Sequence, residues 1–104
     1  MMIARWSIEA KFGHKMQALE MMQRWMREIG SQIGWSAADA RIVTGSIGAR
    51  ESTIETEIRV KDLSQLDSAW DKLAKIAAHK DWGKEFEPYV VSGTPKWEIF
   101  RVVE

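Results

Sequence analysis

A chain of 104 residues, 45% of them hydrophobic and 29% charged, has the size and balance of one globular domain with a modest core. Fifteen basic residues against fifteen acidic ones give a formal net charge of zero, which excludes a long-range field favouring nucleic acid, an anionic membrane or a polyacidic partner. Cysteine is absent, so disulfides, thiolate catalysis and cysteine-based zinc sites are excluded, and no apolar stretch approaches the roughly 20 residues of a membrane span.

The amino terminus opens on Met1-Met2-Ile3-Ala4-Arg5-Trp6 rather than on a basic region followed by a long apolar one, so a soluble, cytoplasmic chain is expected. Residues 2–10 alternate, with Met2, Ala4, Trp6, Ile8 and Ala10 on one side and Ile3, Arg5, Ser7 and Glu9 on the other, which predicts a first strand. Phe12-Gly13-His14 interrupts it. From about His14 to Ile33 apolar residues recur at helical spacing: Ala18, Met22, Trp25, Ile29 and Ile33, with Leu19 and Met26 widening the stripe. Gly30 and Gly34 mark where that helix weakens and stops.

Residues 36–44 predict a second strand, weakened by its alanines, with Ala38, Ala40 and Ile42 opposing Asp39, Arg41 and Val43. Gly45 to Glu51 then reads as a hairpin loop, which makes the second and third strands neighbours. The third strand, Ser52 to Lys61, has the clearest pattern in the chain. Ile54, Thr56, Ile58 and Val60 take one face, and Glu55, Glu57, Arg59 and Lys61 the other, so the sheet is covered on one side only.

Asp62-Leu63-Ser64-Gln65 has the form of a capping box opening a second helix, whose stripe of Leu66, Ala69, Trp70, Leu73, Ile76 and Ala77 runs to near His79. Placed there, His79 is read as a cation at a helix carboxyl end. Asp81 to Val91 adds a short helical segment with Trp82, Phe86 and Tyr89, held short by Gly83 and Pro88. Gly93-Thr94-Pro95 turns the chain into a last strand over Lys96–Val103.

The order strand, helix, strand, strand, helix, strand over residues 1–104 predicts an α+β, ferredoxin-like βαββαβ sandwich. Right-handed crossovers put the first and third strands at the centre of a four-stranded antiparallel sheet, with two helices on one face. Six tryptophans and six methionines in so small a chain make self-association a ready way to hide apolar area.

The chain resembles the dimeric α/β-barrel superfamily, and within it the small NIPSNAP-type domains. The resemblance spans nearly the whole length and rests on ordered motifs. These are Lys11-Phe12-Gly13-His14-Lys15 before the long helix, Gly45-Ser46-Ile47-Gly48 before the alternating strand, Asp62-Leu63 at the second helix, Trp82, Pro88 and Gly93 beyond it, and the closing Trp97-Glu98-Ile99-Phe100-Arg101-Val102-Val103. It implies a homodimer that pairs two open sheet faces into a barrel, and a cavity between sheet and helices or within the barrel that holds a small molecule. Activities in the superfamily range over cofactor-free monooxygenation, haem degradation, isomerisation and decarboxylation, and fold alone does not choose among them. Two departures stand out: the chain has no Asn, which several of the monooxygenases use, and Phe12 stands where a proline is common.

Among individual residues, no histidine pair has metal-ligand spacing, so no metal and no tightly bound cofactor is expected. His14 borders a helix start. His79, with Asp81 and Trp82 close behind, is a candidate for proton transfer at a cavity mouth, through an imidazole oriented by a carboxylate. Arg5, Glu9, Glu55, Glu57 and Arg59, with Arg41 at one side, share the open face. They form either cross-strand ion pairs or a polar cavity floor in which Glu57 acts as base and Arg5, Arg41, Glu55 and Arg59 bind a ligand with Trp82. Trp25 and Trp70 fall on helix stripes as core, Trp6 packs beneath them, and Trp35, Trp82 and Trp97 are left to loops, interfaces or ligand contact. Two functions follow: an enzyme of the cofactor-free monooxygenase or isomerase kind, or a non-catalytic dimeric binding or scaffold module. Nucleic-acid binding is disfavoured, because Glu55 and Glu57 occupy the face where RNA-recognition modules carry aromatic residues.

Overall fold

The computed structural model describes residues 1–104 and contains four strands: β1 (Met2–Glu9), β2 (Ala40–Thr44), β3 (Thr53–Val60) and β4 (Lys96–Arg101). They form one antiparallel sheet in the order β2-β3-β1-β4, the ferredoxin-like arrangement. Three helices accompany it, α1 (Lys15–Glu28), α2 (Leu63–Leu73) and α3 (Ala77–Phe86), the last starting four residues ahead of the short helical segment expected over Asp81–Val91. No helix is long and apolar enough to cross a membrane.

The alternation of β3 is realised as read. Ile54, Thr56, Ile58 and Val60 are buried, while Arg59 is exposed and Glu55 and Glu57 lie at the half-buried open surface. The sheet registers Trp6 between Thr56 and Trp97, and Arg5 between Glu57 and Glu98, so each face keeps its own chemistry across three strands.

The second strand starts four residues later than its pattern suggests. Ser36–Asp39 is a turn in which the amides of Asp39 and Ala40 both donate to the Ser36 carbonyl at 3.0 Å. Ala37 and Ala38 have no branched side chain to hold an extended backbone, so local hydrogen bonds win there. The hairpin after β2 requires its first glycine. A Cβ on Gly45 would sit 1.7 Å from the Arg50 carbonyl oxygen.

The second helix is also shorter than its stripe. It opens on a capping box in which the Gln65 amide donates to Asp62 Oδ1 at 2.8 Å, and the Lys61 amide donates to Gln65 Oε1 at 2.6 Å. It ends at Leu73, and the amides of Lys75 and Ile76 turn back to the carbonyls of Lys72 and Leu73 at 3.1 Å. Ile76 then adopts an extended conformation and a new helix begins at Ala77. The apolar spacing continues through this corner because Ile76 still points inward, so periodicity gives no sign of it. The consequence is large, since α3 packs against α1 rather than continuing along the sheet.

Two buried clusters make the core. One joins Ile8, Ala18, Met22 and Ile54 to Trp82 and Phe86; the other joins Ala4, Ile58 and Val60 to Trp35, Leu66 and Ala69. Trp25, Leu73 and Ile76 pack against both. Strand β4 lies at the sheet edge, paired only with β1, and every one of its residues is exposed.

Candidate functional site

Between the sheet and the helices lies a cavity of about 230 Å³ lined by all six tryptophans of the chain, Trp6, Trp25, Trp35, Trp70, Trp82 and Trp97. Each reaches it from a different place. Trp6 and Trp97 are cross-strand partners on β1 and β4, Trp25, Trp70 and Trp82 come from α1, α2 and α3, and Trp35 follows the 3-10 turn Gly30–Ile33. The turn begins with glycine, where a Cβ would lie 3.1 Å from Cζ3 of Trp25 and press on that ring.

The rings are linked as a chain. Trp82 and Trp25 have centroids 6.3 Å apart, Trp25 and Trp35 6.0 Å, Trp35 and Trp97 6.4 Å, and Trp97 and Trp70 5.3 Å. Hydrogen bonds fix two of them. Trp82 Nε1–H donates to the Met21 carbonyl at 2.8 Å, and Trp25 Nε1–H donates to Nδ1 of His79 at 2.9 Å. The Trp70 indole N–H is buried without a partner.

His79 is the one ionisable side chain of this cavity. Its position corrects the sequence reading, for it lies in the first turn of α3 and not at a helix carboxyl end. Nor does Asp81 orient it. Because Nδ1 accepts the Trp25 bond, the neutral imidazole carries its proton on Nε2. Burial disfavours the imidazolium and lowers the pKa below the usual 6.5. The group is therefore a neutral donor near physiological pH. Thr56 adds a hydroxyl to the same wall.

The opposite face of the sheet holds the charged residues. Glu57 Oε2 accepts from Arg41 Nε at 2.7 Å, and Glu57 Oε1 lies 3.1 Å from Arg5 Nε, close enough for an ion pair but too poorly aligned for a hydrogen bond. The Arg5 guanidinium lies over the Phe100 ring, 4.7 Å from its centroid. Both Glu57 oxygens thus face guanidinium groups, which makes this carboxylate the centre of the open face's ion pairs. Beside it, Ile3, Ala38, Asp39, Arg41, Glu57 and Arg59 line an open concavity of about 390 Å³. Glu55 stands opposite Ser7 and Val43 on this face and makes no ion pair.

These placements divide the predicted site. Arg5, Arg41, Glu55, Glu57 and Arg59 share the open face, whereas His79 and Trp82 are on the far side of the sheet, so the two groups cannot contact one ligand. His14 is exposed at the start of α1 and its side chain caps nothing. Glu9 departs from its predicted companions. Burial pushes its carboxyl pKa up, but hydroxyl bonds from Ser52 and Thr53, each 2.6 Å, together with Arg50, outweigh that and hold it below 4.5. No cluster of three His, Asp or Glu side chains forms a metal site.

Sheet order, crossovers and helical covering thus define an α+β ferredoxin-like domain with an aromatic cavity inside it. Solved structures share this fold. A NIPSNAP family protein from Agrobacterium tumefaciens superposes with a TM-score of 0.75 at 14% identity, covering 99% of this chain and 86% of the other. A NIPSNAP domain protein from Burkholderia xenovorans gives 0.69 at 13% identity, covering 99% and 95%. An antibiotic biosynthesis monooxygenase gives 0.70 at 9% identity over the full length of both chains. No protein-family model and no curated protein sequence matches the chain. At these identities the likeness establishes the fold alone.

Proposed function

We propose that this chain binds a small organic molecule in the tryptophan-lined cavity, and that it does so as a protomer of a homodimeric α/β barrel. The observation that carries the first part is the convergence of all six tryptophans and the neutral His79 on one cavity of about 230 Å³. Space beside apolar rings with few polar groups suits ligand capture. His79 Nε2–H supplies one hydrogen-bond donor to orient an acceptor on the ligand, and is the group best placed to take part in proton transfer.

The dimer reading is supported by the open face and its edge. Phe100 of the edge strand β4 is 42% exposed on that face, opposite Ile3 and beside Arg5. A second copy laid against this face would cover apolar area and enclose the Glu57 ion pairs. A non-catalytic binding or scaffold module uses the same assembly without chemistry.

A thermal-shift screen of the purified chain against small metabolites tests the ligand reading, because a ligand selective for the native state raises Tm. Hits that disappear in Trp82→Leu, with folding retained by circular dichroism, support it; an unresponsive screen overturns it. Sedimentation of wild type against Phe100→Glu tests the assembly. A dimer converted to a monomer is expected, and a wild type monomeric at all concentrations removes the barrel.

A further inference from the structure

The wall of the tryptophan cavity narrows the chemistry of its occupant. It contains no carboxylate, ammonium or guanidinium, and its side-chain polar groups beyond the indoles are the Thr56 hydroxyl and the His79 imidazole. An anion would meet no counter-charge there. A primary ammonium would bring three N–H donors to a wall with scarcely an acceptor, since His79 Nδ1 is already engaged by Trp25. Two classes remain: a neutral molecule, apolar or with an acceptor for the His79 and Trp70 N–H groups, and a cation that carries no N–H.

The identity of the wall separates these two. Six of its ten residues are tryptophan. A neutral hydrocarbon is served as well by Leu or Ile, whereas the indole face is the strongest cation–π partner among side chains. Ring geometry argues the same way. Trp25 and Trp35 meet at 44°, Trp25 and Trp82 at 58°, Trp35 and Trp97 at 61°, Trp70 and Trp97 at 70°, and Trp25 and His79 at 71°, so adjoining walls are inclined to one another, a shape that suits a rounded guest. A flat guest needs parallel walls. The near-parallel pair, His79 and Trp82 at 13°, consists of neighbours on the same helix. Centroid spacings of 5.3 to 6.4 Å between neighbouring indoles let one cation lie within about 6 Å of several rings at once. The hydrogen bonds of Trp25 and Trp82 hold their rings in place before a ligand arrives, which limits the ordering cost of binding.

We infer that the cavity takes a quaternary ammonium group, an assignment that rests on the small-molecule reading of the same cavity. The test is a pair of titrations of the full chain, one with choline chloride and one with 3,3-dimethylbutan-1-ol, which has the same shape and hydroxyl but carbon in place of the charged nitrogen. Indole N–H resonances of ¹⁵N-labelled protein report both affinity and location. Choline is expected to bind about tenfold tighter than the alcohol. Trp97→Leu, at a 38% exposed edge position that stays apolar, is expected to weaken choline about threefold more than it weakens the alcohol.

Equal or tighter binding of the alcohol overturns the ammonium assignment while leaving the small-molecule reading in force. Loss of both ligands in equal measure in Trp97→Leu also overturns it, since cavity shape and not the ring would then be the cause. If neither compound binds the wild type, the assignment fails, and the metabolite screen decides the broader reading separately.

Discussion

The two faces of this sheet are built from the same strands and are held together by different physics. On the covered face Ile54, Thr56, Ile58 and Val60 of β3 are at most 5% exposed and pack against helices and indoles. Turned the other way on the same strand, Glu55, Glu57 and Arg59 meet water, arginines and the edge of a shallow concavity. Removal of apolar area from water is roughly additive and is not weakened by ionic screening, whereas exposed charge pairs are screened and gain little. Stability is therefore concentrated on the covered face, together with the candidate ligand cavity. The open face holds the screened charge pairs.

The largest effect that distinguishes the faces is a core truncation. Ile58→Ala is expected to cost about 2 to 5 kcal/mol in denaturant unfolding, because Ile58 is 1% exposed and wedged between Ala4 and Ala40 in the sheet register. An Arg5→Ala change of equal cost would erase the contrast. Next comes Trp82→Phe, expected to cost about 1 to 3 kcal/mol, since it removes the indole hydrogen bond to the Met21 carbonyl and shrinks a side chain shared by core and cavity. A loss below about 0.5 kcal/mol would mean the indole bond contributes little to holding the cage.

Much of this contrast was legible in the residues, and its limits have physical causes. The strict alternation of β3, the Asp62–Gln65 capping box and the hairpin at Gly45 are local rules that tertiary structure had no reason to override. The corner at Ala74–Ile76 was invisible, because no Gly or Pro marks it and Ile76 keeps the helical spacing across it. That corner determines where His79 goes. With it missed, His79 falls at a helix end instead of under Trp25. The tryptophans on helix stripes read correctly as inward-facing, but inward-facing does not distinguish a filled core from a cavity wall. Only the joint placement of residues 6, 25, 35, 70, 82 and 97 does so. The split between open-face charges and His79 with Trp82 follows from period-two geometry once the helices are assigned to one side.

Acid sensitivity sharpens the comparison at smaller amplitude. The folded His79 pKa lies below 6.5 because burial disfavours the imidazolium, so the unfolded chain takes up that proton first. Its contribution is fully present above about pH 6.5 and is lost as pH falls toward the folded value. The Tm difference between wild type and His79→Gln should shrink across that window. Glu9 titrates separately. Its folded pKa is depressed, so its contribution is present above about pH 4.5 and is lost as pH falls through the folded value. A difference that stays flat from pH 8 to 5 would show that the Trp25–His79 bond does not couple to protonation.

The smallest effect probes the open face directly. Arg41 pairs with Glu57 at 2.7 Å while its own side chain is 74% exposed, so solvent screens the attraction and the long side chain loses entropy on being held. Arg41→Ala should therefore cost about 0.2 to 1 kcal/mol in the monomer, and less in about 1 M salt, where the Debye length falls to about 3 Å. The same substitution measured at rising protein concentration reports on what covers the face. If a second copy encloses the Glu57 pairs, water leaves, the local dielectric drops, and removing one partner of a dehydrated pair costs several-fold more. A penalty that grows with concentration and resists salt would make the open face the inside of a barrel. A constant, salt-sensitive penalty would leave it a solvated surface, and the contrast between the two faces would then be one of core against water.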